Sequence, residues 1–217
     1  MEIAVNKVHF PVSTLGHGQR LGIWLQGCSI RCPGCISRDT WESGKEYLTD
    51  VDSLDETVST WLSQADGVTV SGGEPFDQAA ALAALLQRFR QVHDGDFLVF
   101  SGYPVEILER KHADLLRWVD VLVSDPFEAG ATQTRALRGS DNQRVHLRTE
   151  RARSRYPADM NSRAWGEERG LDLMVEGDQV WMAGIPKPGE MSRLRRKLEA
   201  LGYSSTTSDQ PPVPVRA

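Results

Sequence analysis

Between residues 21 and 124 the chain alternates short apolar runs with amphipathic stretches. Residues 21–27, around Trp24, form a continuous apolar run and read as a buried strand. Ser53 with Glu56 three positions on makes a capping box, and Leu54, Val58, Trp61 and Leu62 then recur at helical spacing. Residues 67–71 read as a second strand. Residues 78–92 predict a helix with Leu82, Leu85, Leu86 and Phe89 on one face. A third strand is predicted at 97–101, a helix at 104–118 with Pro104 in its first turn, and a fourth strand at 119–124. Short strands alternating with helices predict an α/β fold with a parallel sheet, because parallel neighbours need crossover connections.

Beyond Asp125 the pattern weakens. Residues 135–155 hold seven arginines against Asp141 and Glu150, which reads as a solvated, irregular surface segment. The same run is also the best candidate for the footprint of an acidic partner. Residues 171–176 and 179–184 flank Gly177-Asp178 and predict a hairpin. Residues 188–201 predict a basic amphipathic helix with Met191, Leu194, Leu198 and Leu201 on one face. Residues 204–217, rich in proline, read as a disordered tail. The expected division is a core domain at 1–150, an extension at 151–203 packing on the core, and the tail.

Composition narrows the class. Of 217 residues, 40% are hydrophobic and 25% charged, as in an ordinary soluble protein. The formal net charge of -5 gives no bulk attraction to nucleic acid. No apolar run approaches a membrane span and the first residues do not read as a secretory signal, so a cytoplasmic protein with no membrane partner is expected.

The chemistry gathers in two places. All three cysteines fall in Gly27-Cys28-Ser29-Ile30-Arg31-Cys32-Pro33-Gly34-Cys35. Such spacing favours a metal site in a reducing compartment over a disulfide framework, which closes loops across a chain. Thiolates on one short loop suit an iron–sulfur cluster. A structural zinc site wants a fourth ligand, which His9 or His17 would have to supply from upstream at no familiar spacing. The second place is Ser71-Gly72-Gly73-Glu74-Pro75, directly after a predicted strand. Paired glycines there admit close approach to the backbone, and Glu74 offers a carboxylate to an ammonium group. The cysteine loop, this turn, Ser101-Gly102-Tyr103 and Ser124-Asp125-Pro126-Phe127 each follow one predicted strand. They would share the carboxyl rim of a parallel sheet, where barrels gather their chemistry.

Taken together, these residues resemble the radical S-adenosylmethionine enzymes, and among them the activating proteins of anaerobic ribonucleoside-triphosphate reductase. The pattern recurs as the cysteine loop followed by Thr40-Trp41, as Ser71 to Pro75, as Ser101-Gly102-Tyr103, as Val121 to Val123, and as Arg138-Gly139-Ser140 with Asn142-Gln143. The resemblance implies an incomplete parallel (β/α) barrel with a C-terminal hairpin and helix added. It implies a 4Fe-4S cluster on Cys28, Cys32 and Cys35, and S-adenosyl-L-methionine on its open iron. Gly72, Gly73 and Glu74 would meet the methionine amino group, with Ser101 and Tyr103 lining the adenosyl site. No catalytic side chain beyond the cluster ligands is implied. An electron from a flavodoxin-like donor would cleave the cofactor to a 5′-deoxyadenosyl radical, which abstracts hydrogen from a glycine of a partner glycyl radical enzyme. Ile36-Ser37 departs from the aromatic–Asn pair common in that family. Two rival expectations are a radical enzyme modifying another peptide or small molecule, and a non-catalytic 4Fe-4S electron-transfer or sensor module.

Overall fold

The computed structural model describes residues 1–166, 170–176, 179–187 and 189–203, without the side chains of 175, 176 and 179. The predicted tail lies outside the described residues. In chain order the strands are β1 (Glu2–Val12), β2 (Arg20–Leu25), β3 (Leu48–Asp50), β4 (Gly67–Gly72), β5 (Asp96–Phe100), β6 (Val121–Ser124), β7 (Arg144–Leu147), β8 (Leu171–Glu176) and β9 (Gln179–Gly184). The helices are α1 (Val51–Gln64), α2 (Ala79–Arg90), α3 (Val105–Lys111), α4 (Ala113–Leu116), α5 (Glu150–Arg155) and α6 (Glu190–Ala200).

Seven strands form one sheet in the order β3-β1-β2-β4-β5-β6-β7, and β8 pairs with β9 apart from it. The centre, β2-β4-β5-β6, is parallel, as the alternation of strands and helices requires. Both flanks are antiparallel, through β1 on β2, β3 on β1, and β7 on β6. The architecture is mixed α/β, with β3 and β7 as the two edges.

A parallel strand is buried on both faces, which explains why all six residues of β2 are buried. On one face Leu21, Ile23, Val68, Val70, Phe97, Val99 and Leu122 pack against the apolar stripes of α1 and α2. The other face is closed by later parts of the chain. Leu98, Val121 and Val123 meet Leu137, Val145, Ala152, Tyr156 and Met160. Val12, Leu15 and Trp24 meet Ala183, with Trp181 and Ile185 beside it.

The hairpin is therefore a cover for the sheet. Trp181 sets its ring edge-on to Trp24 at 4.9 Å and lies 4.6 Å from His9. Asp172 accepts from the backbone N–H and hydroxyl of both Ser13 and Thr14. The helix expected to do this work does less, since α6 buries none of its residues and Leu201 is 73% exposed. Trp181→Ala should destabilise the chain by about 2 kcal/mol, through lost contact area and the space left beside Trp24. Urea unfolding of the metal-free chain measures this; an unchanged midpoint would show that the hairpin only rests on the sheet.

Several sequence expectations are corrected. α1 begins at Val51, and its cap is Asp50, whose carboxylate accepts from the N–H groups of Asp52 and Ser53; the Ser53–Glu56 pair lies inside the helix. The helix expected at 104–118 is two short ones broken at His112, with Pro104 as the N-cap. The arginine run is neither irregular nor a free basic surface. It contains β7 and α5, and five of its arginines pair with carboxylates, Arg144 with Glu106 and Asp125, Arg148 with Glu109, Arg151 with Asp120, Arg153 with Glu150 and Arg155 with Asp96. Arg138 is fully buried and donates to main-chain carbonyls, among them Gln143 at 2.7 Å and Met160 at 2.6 Å.

The β7 edge is blunted locally. The Asn161 carboxamide donates to the Val145 carbonyl at 2.7 Å and accepts from its N–H at 2.8 Å, as a neighbouring strand would. Arg153 donates to the Leu147 carbonyl at 3.0 Å.

Candidate cluster site

The parallel strands end together, and the chemistry-bearing residues sit just beyond their ends. Gly27, at φ +97°, turns the chain out of β2 in a conformation open to glycine. Gly72 does the same at the end of β4, at φ +100°. The two exits are joined through the backbone. The Gly73 N–H donates to the Leu25 carbonyl at 2.8 Å, and the Glu74 N–H donates to the Gly27 carbonyl at 2.9 Å. Contact is so close that a Cβ on Gly73 would lie 2.0 Å from the Gly27 carbonyl oxygen. On the side where a Cβ would stand, both glycines therefore face the chain's own backbone.

From Gly27 the cysteine loop crosses the other exits. Ser29 is held by Asp77, which accepts from its N–H at 2.8 Å and its hydroxyl at 2.9 Å. The Tyr103 hydroxyl, beyond β5, donates to the same carboxylate at 2.9 Å. Ile30 covers Gly102, where a Cβ would meet its side chain at 2.7 Å. Gly34 lies against Ala129 and Phe127, beyond β6. Asp77 is the residue that sequence reasoning missed. Its partners are remote in sequence, and the one available signal was its place three residues after Glu74.

Cys28, Cys32 and Cys35 are free thiols, each half-buried. The Cys28 sulfur accepts from the Arg31 N–H at 3.5 Å. Burial pushes the Cys32 and Cys35 thiols up from their ordinary range, against the N–H groups of Phe127 near Cys32 and of Ser37 and the Trp41 indole near Cys35, and the neighbouring cysteines add to the rise. Metal binding must then release protons. Among the described residues no three His, Cys, Asp or Glu side chains converge on a single ion. His9 lies against Trp181 with its ring tilted and His17 lies beside Tyr156, so neither joins the cysteines. Three thiols on one short loop that do not converge on a single point fit a multi-iron cluster taking one sulfur per iron better than a zinc ion.

Glu74 is 2% exposed. Its carboxylate accepts from the Phe76 N–H at 3.0 Å, the Ser101 hydroxyl at 2.8 Å and the Gly102 N–H at 2.8 Å. Ser101 in turn accepts from the Tyr103 N–H at 3.1 Å. The structure therefore brings Glu74, Ser101 and Tyr103 together around the cysteine loop. Burial outweighs the three donors and pushes the Glu74 carboxyl up to about 7. No salt bridge reaches it among the described residues. A folded-state value raised above the ordinary one favours the protonated chain. Stability is then full below the ordinary carboxyl range, falls as pH rises from about 4.5, and is lost through about 7. Metal-free chain should lose about 3 kcal/mol across that window, while Glu74→Gln should be nearly flat there. Denaturant midpoints at four pH values test this, and parallel curves for the two chains would refute it.

A cleft of about 490 Å³ opens beside Cys28, lined in part by Gln26, Trp41, Lys45, Asp77 and Gln78. A larger one of about 530 Å³ runs along β7, and no cysteine lines it. Arg20, at the start of β2, is buried against Asp96 at 2.8 Å, far along the strand from Cys28, and cannot reach a ligand at the rim.

Residues 14–146 match the family described as a 4Fe-4S single cluster domain. The chain is 29% identical over 147 residues to the anaerobic ribonucleoside-triphosphate reductase-activating protein of Haemophilus influenzae, covering 64% of this chain and 94% of that one. The activating protein of the same name from Vibrio cholerae is 30% identical over 146 residues, covering 64% and 94%. The pyruvate formate-lyase-activating enzyme of Streptococcus mutans is 30% identical over 194 residues, covering 81% of this chain and 71% of that one. The matched segment contains the cysteine loop and all four strand exits, so sequence kinship and rim geometry select the same residues: this chain belongs to the 4Fe-4S single cluster domain family, together with the anaerobic ribonucleoside-triphosphate reductase-activating proteins.

Proposed function

We infer that this chain is a radical S-adenosylmethionine enzyme that activates a partner glycyl radical enzyme. The observation that carries the reading is the weld between the cysteine loop and the Gly72-Gly73-Glu74 turn at the rim of the parallel strands. Cys28, Cys32 and Cys35 would hold a 4Fe-4S cluster, which with S-adenosyl-L-methionine supplies one-electron reductive chemistry. A flavodoxin-like donor is the class of reductant this chemistry needs. The four parallel strands would be the incomplete barrel expected of such enzymes.

The chain's own residues then have definite tasks. Gly72 and Gly73 set the distance between the cysteine loop and the turn. Glu74 is a buried carboxyl with three donors and an acceptor site to spare, and among the described residues no cation pairs with it. An ammonium group arriving there would restore its charge, so Glu74 is the acceptor for the methionine amino group, and Ser101 holds it in place. Tyr103 and Asp77 fix Ser29 at the start of the loop. The hairpin of the extension at 151–203, through Trp181, keeps water from the inner face of the core. Among the described residues no helix is long and apolar enough to cross a membrane, and the place of action is the cytoplasm.

The test is anaerobic. Reconstituted, reduced chain should convert S-adenosyl-L-methionine to 5′-deoxyadenosine and methionine, and spin resonance should show a glycyl radical on a co-encoded partner. Cofactor cleavage with turnover of a small molecule and no protein radical would select the first rival. A loaded cluster without any cleavage would select the sensor or electron-transfer module.

A further inference from the structure

The segment Arg138-Gly139-Ser140-Asp141-Asn142-Gln143 has no task in the scheme above, although it is among the most densely bonded parts of the molecule. It lies between the β6 exit and β7. Arg138, fully buried, ties it to the carbonyls of Gln143 and Met160. The Gln143 side chain accepts from the Gly139 N–H at 2.8 Å and the Ser140 N–H at 3.3 Å, which closes the segment on itself.

What it then grips is the turn after β6. The Asn142 amide donates to the Pro126 carbonyl at 2.8 Å, and the Gln143 amide donates to the Asp125 carbonyl at 3.1 Å. The Ser140 hydroxyl accepts from the Glu128 N–H at 3.1 Å. Gly139 lets the Phe127 ring sit against it, where a Cβ would stand 3.0 Å from the ring. The gripped turn is strained, because Asp125 has φ +81°, a left-handed conformation that a side chain disfavours. Its carboxylate is also occupied, by the Arg144 guanidinium at 2.7 Å and the Ser124 hydroxyl at 2.8 Å. Strain of this kind persists where the surroundings over-determine it, and it marks positions where geometry matters.

The turn meets the cysteine loop through Phe127 and Ala129, which pack on Gly34, between Cys32 and Cys35. We propose that Asn142 and Gln143 are positioning residues, which hold the strained Asp125–Glu128 turn so that Phe127 and Ala129 stay seated on Gly34 when Cys32 and Cys35 ligate iron. The proposal rests on the reading of those cysteines as cluster ligands. The potential of a cluster depends on its exposure to solvent, and the groups that orient its ligands also retain the metal.

The experiment compares wild type, Asn142→Ala and Ser140→Ala, the latter removing one grip from the turn without touching Asn142 or Gln143. Each is reconstituted anaerobically, and three quantities are read: iron per chain, midpoint potential by dye titration, and the rate at which a chelator removes iron. Asn142→Ala should move the potential away from the wild-type value and lose iron about 10-fold faster. Ser140→Ala should move both in the same direction by less. The metal-free melting temperature of each variant is measured alongside, since a merely structural segment would change that and leave the potential alone. If Asn142→Ala does not fold, Ser140→Ala decides. Folded variants with wild-type potential and chelation rate overturn the proposal. A wild-type chain that takes up no iron would instead overturn the cluster reading beneath it, so the two failures are distinct.

Discussion

Gly73→Ala should destabilise the metal-free chain by about 3 kcal/mol and reduce iron uptake to a small fraction of wild type. The added carbon would stand 2.0 Å from the Gly27 carbonyl oxygen, 2.7 Å from the Gly27 carbonyl carbon and 3.0 Å from the Thr40 carbonyl oxygen. All three are backbone atoms, so no side chain can rotate away. The two strand exits must part, and with them go the hydrogen bonds from Gly73 to Leu25 and from Glu74 to Gly27. Cys28 follows Gly27 directly, so the damage falls on the start of the cysteine loop. Chemical denaturation of the metal-free chain and iron analysis after reconstitution measure the two effects. An alanine variant that unfolds and loads like wild type would mean that the exits are not welded.

The second large effect separates loading from folding. Cys28→Ala, Cys32→Ala and Cys35→Ala, made singly, should each reduce iron to near zero per chain, because a cluster that loses one of three anchors is open to solvent and chelators. The metal-free chains should stay within about 0.5 kcal/mol of wild type, since none of the thiols is fully buried. Iron analysis and visible absorption read the first quantity, urea midpoints the second. Stoichiometric zinc with no iron in chain purified without oxygen would defeat the cluster reading altogether.

The parallel centre of the sheet was legible because β2, β4, β5 and β6 are covered on both faces, which writes a continuous apolar run into the sequence. β1 was not, because register shifts between Val5 and Lys7 and between His9 and Val12 break its alternation. β7 was hidden by the arginines around it. Arg144 earns its place by reaching Asp125 and Glu106, nineteen and thirty-eight positions away, and no local pattern records such partners. The cysteine loop stood out for the opposite reason, since its three thiols are close neighbours and their spacing is the signal. Asp77 escaped because it acts on Ser29 and Tyr103, one far upstream and one far downstream. That Gly72 and Gly73 leave no room for a Cβ is visible only once the facing backbone of Leu25 and Gly27 is in place.

Asn161 sets how this protein can meet others. With its carboxamide seated on Val145, the β7 border of the sheet is occupied in part by the chain itself. That border is a poor template for a foreign strand. Recognition of another protein along β7 therefore has to be written in side chains and loop shape.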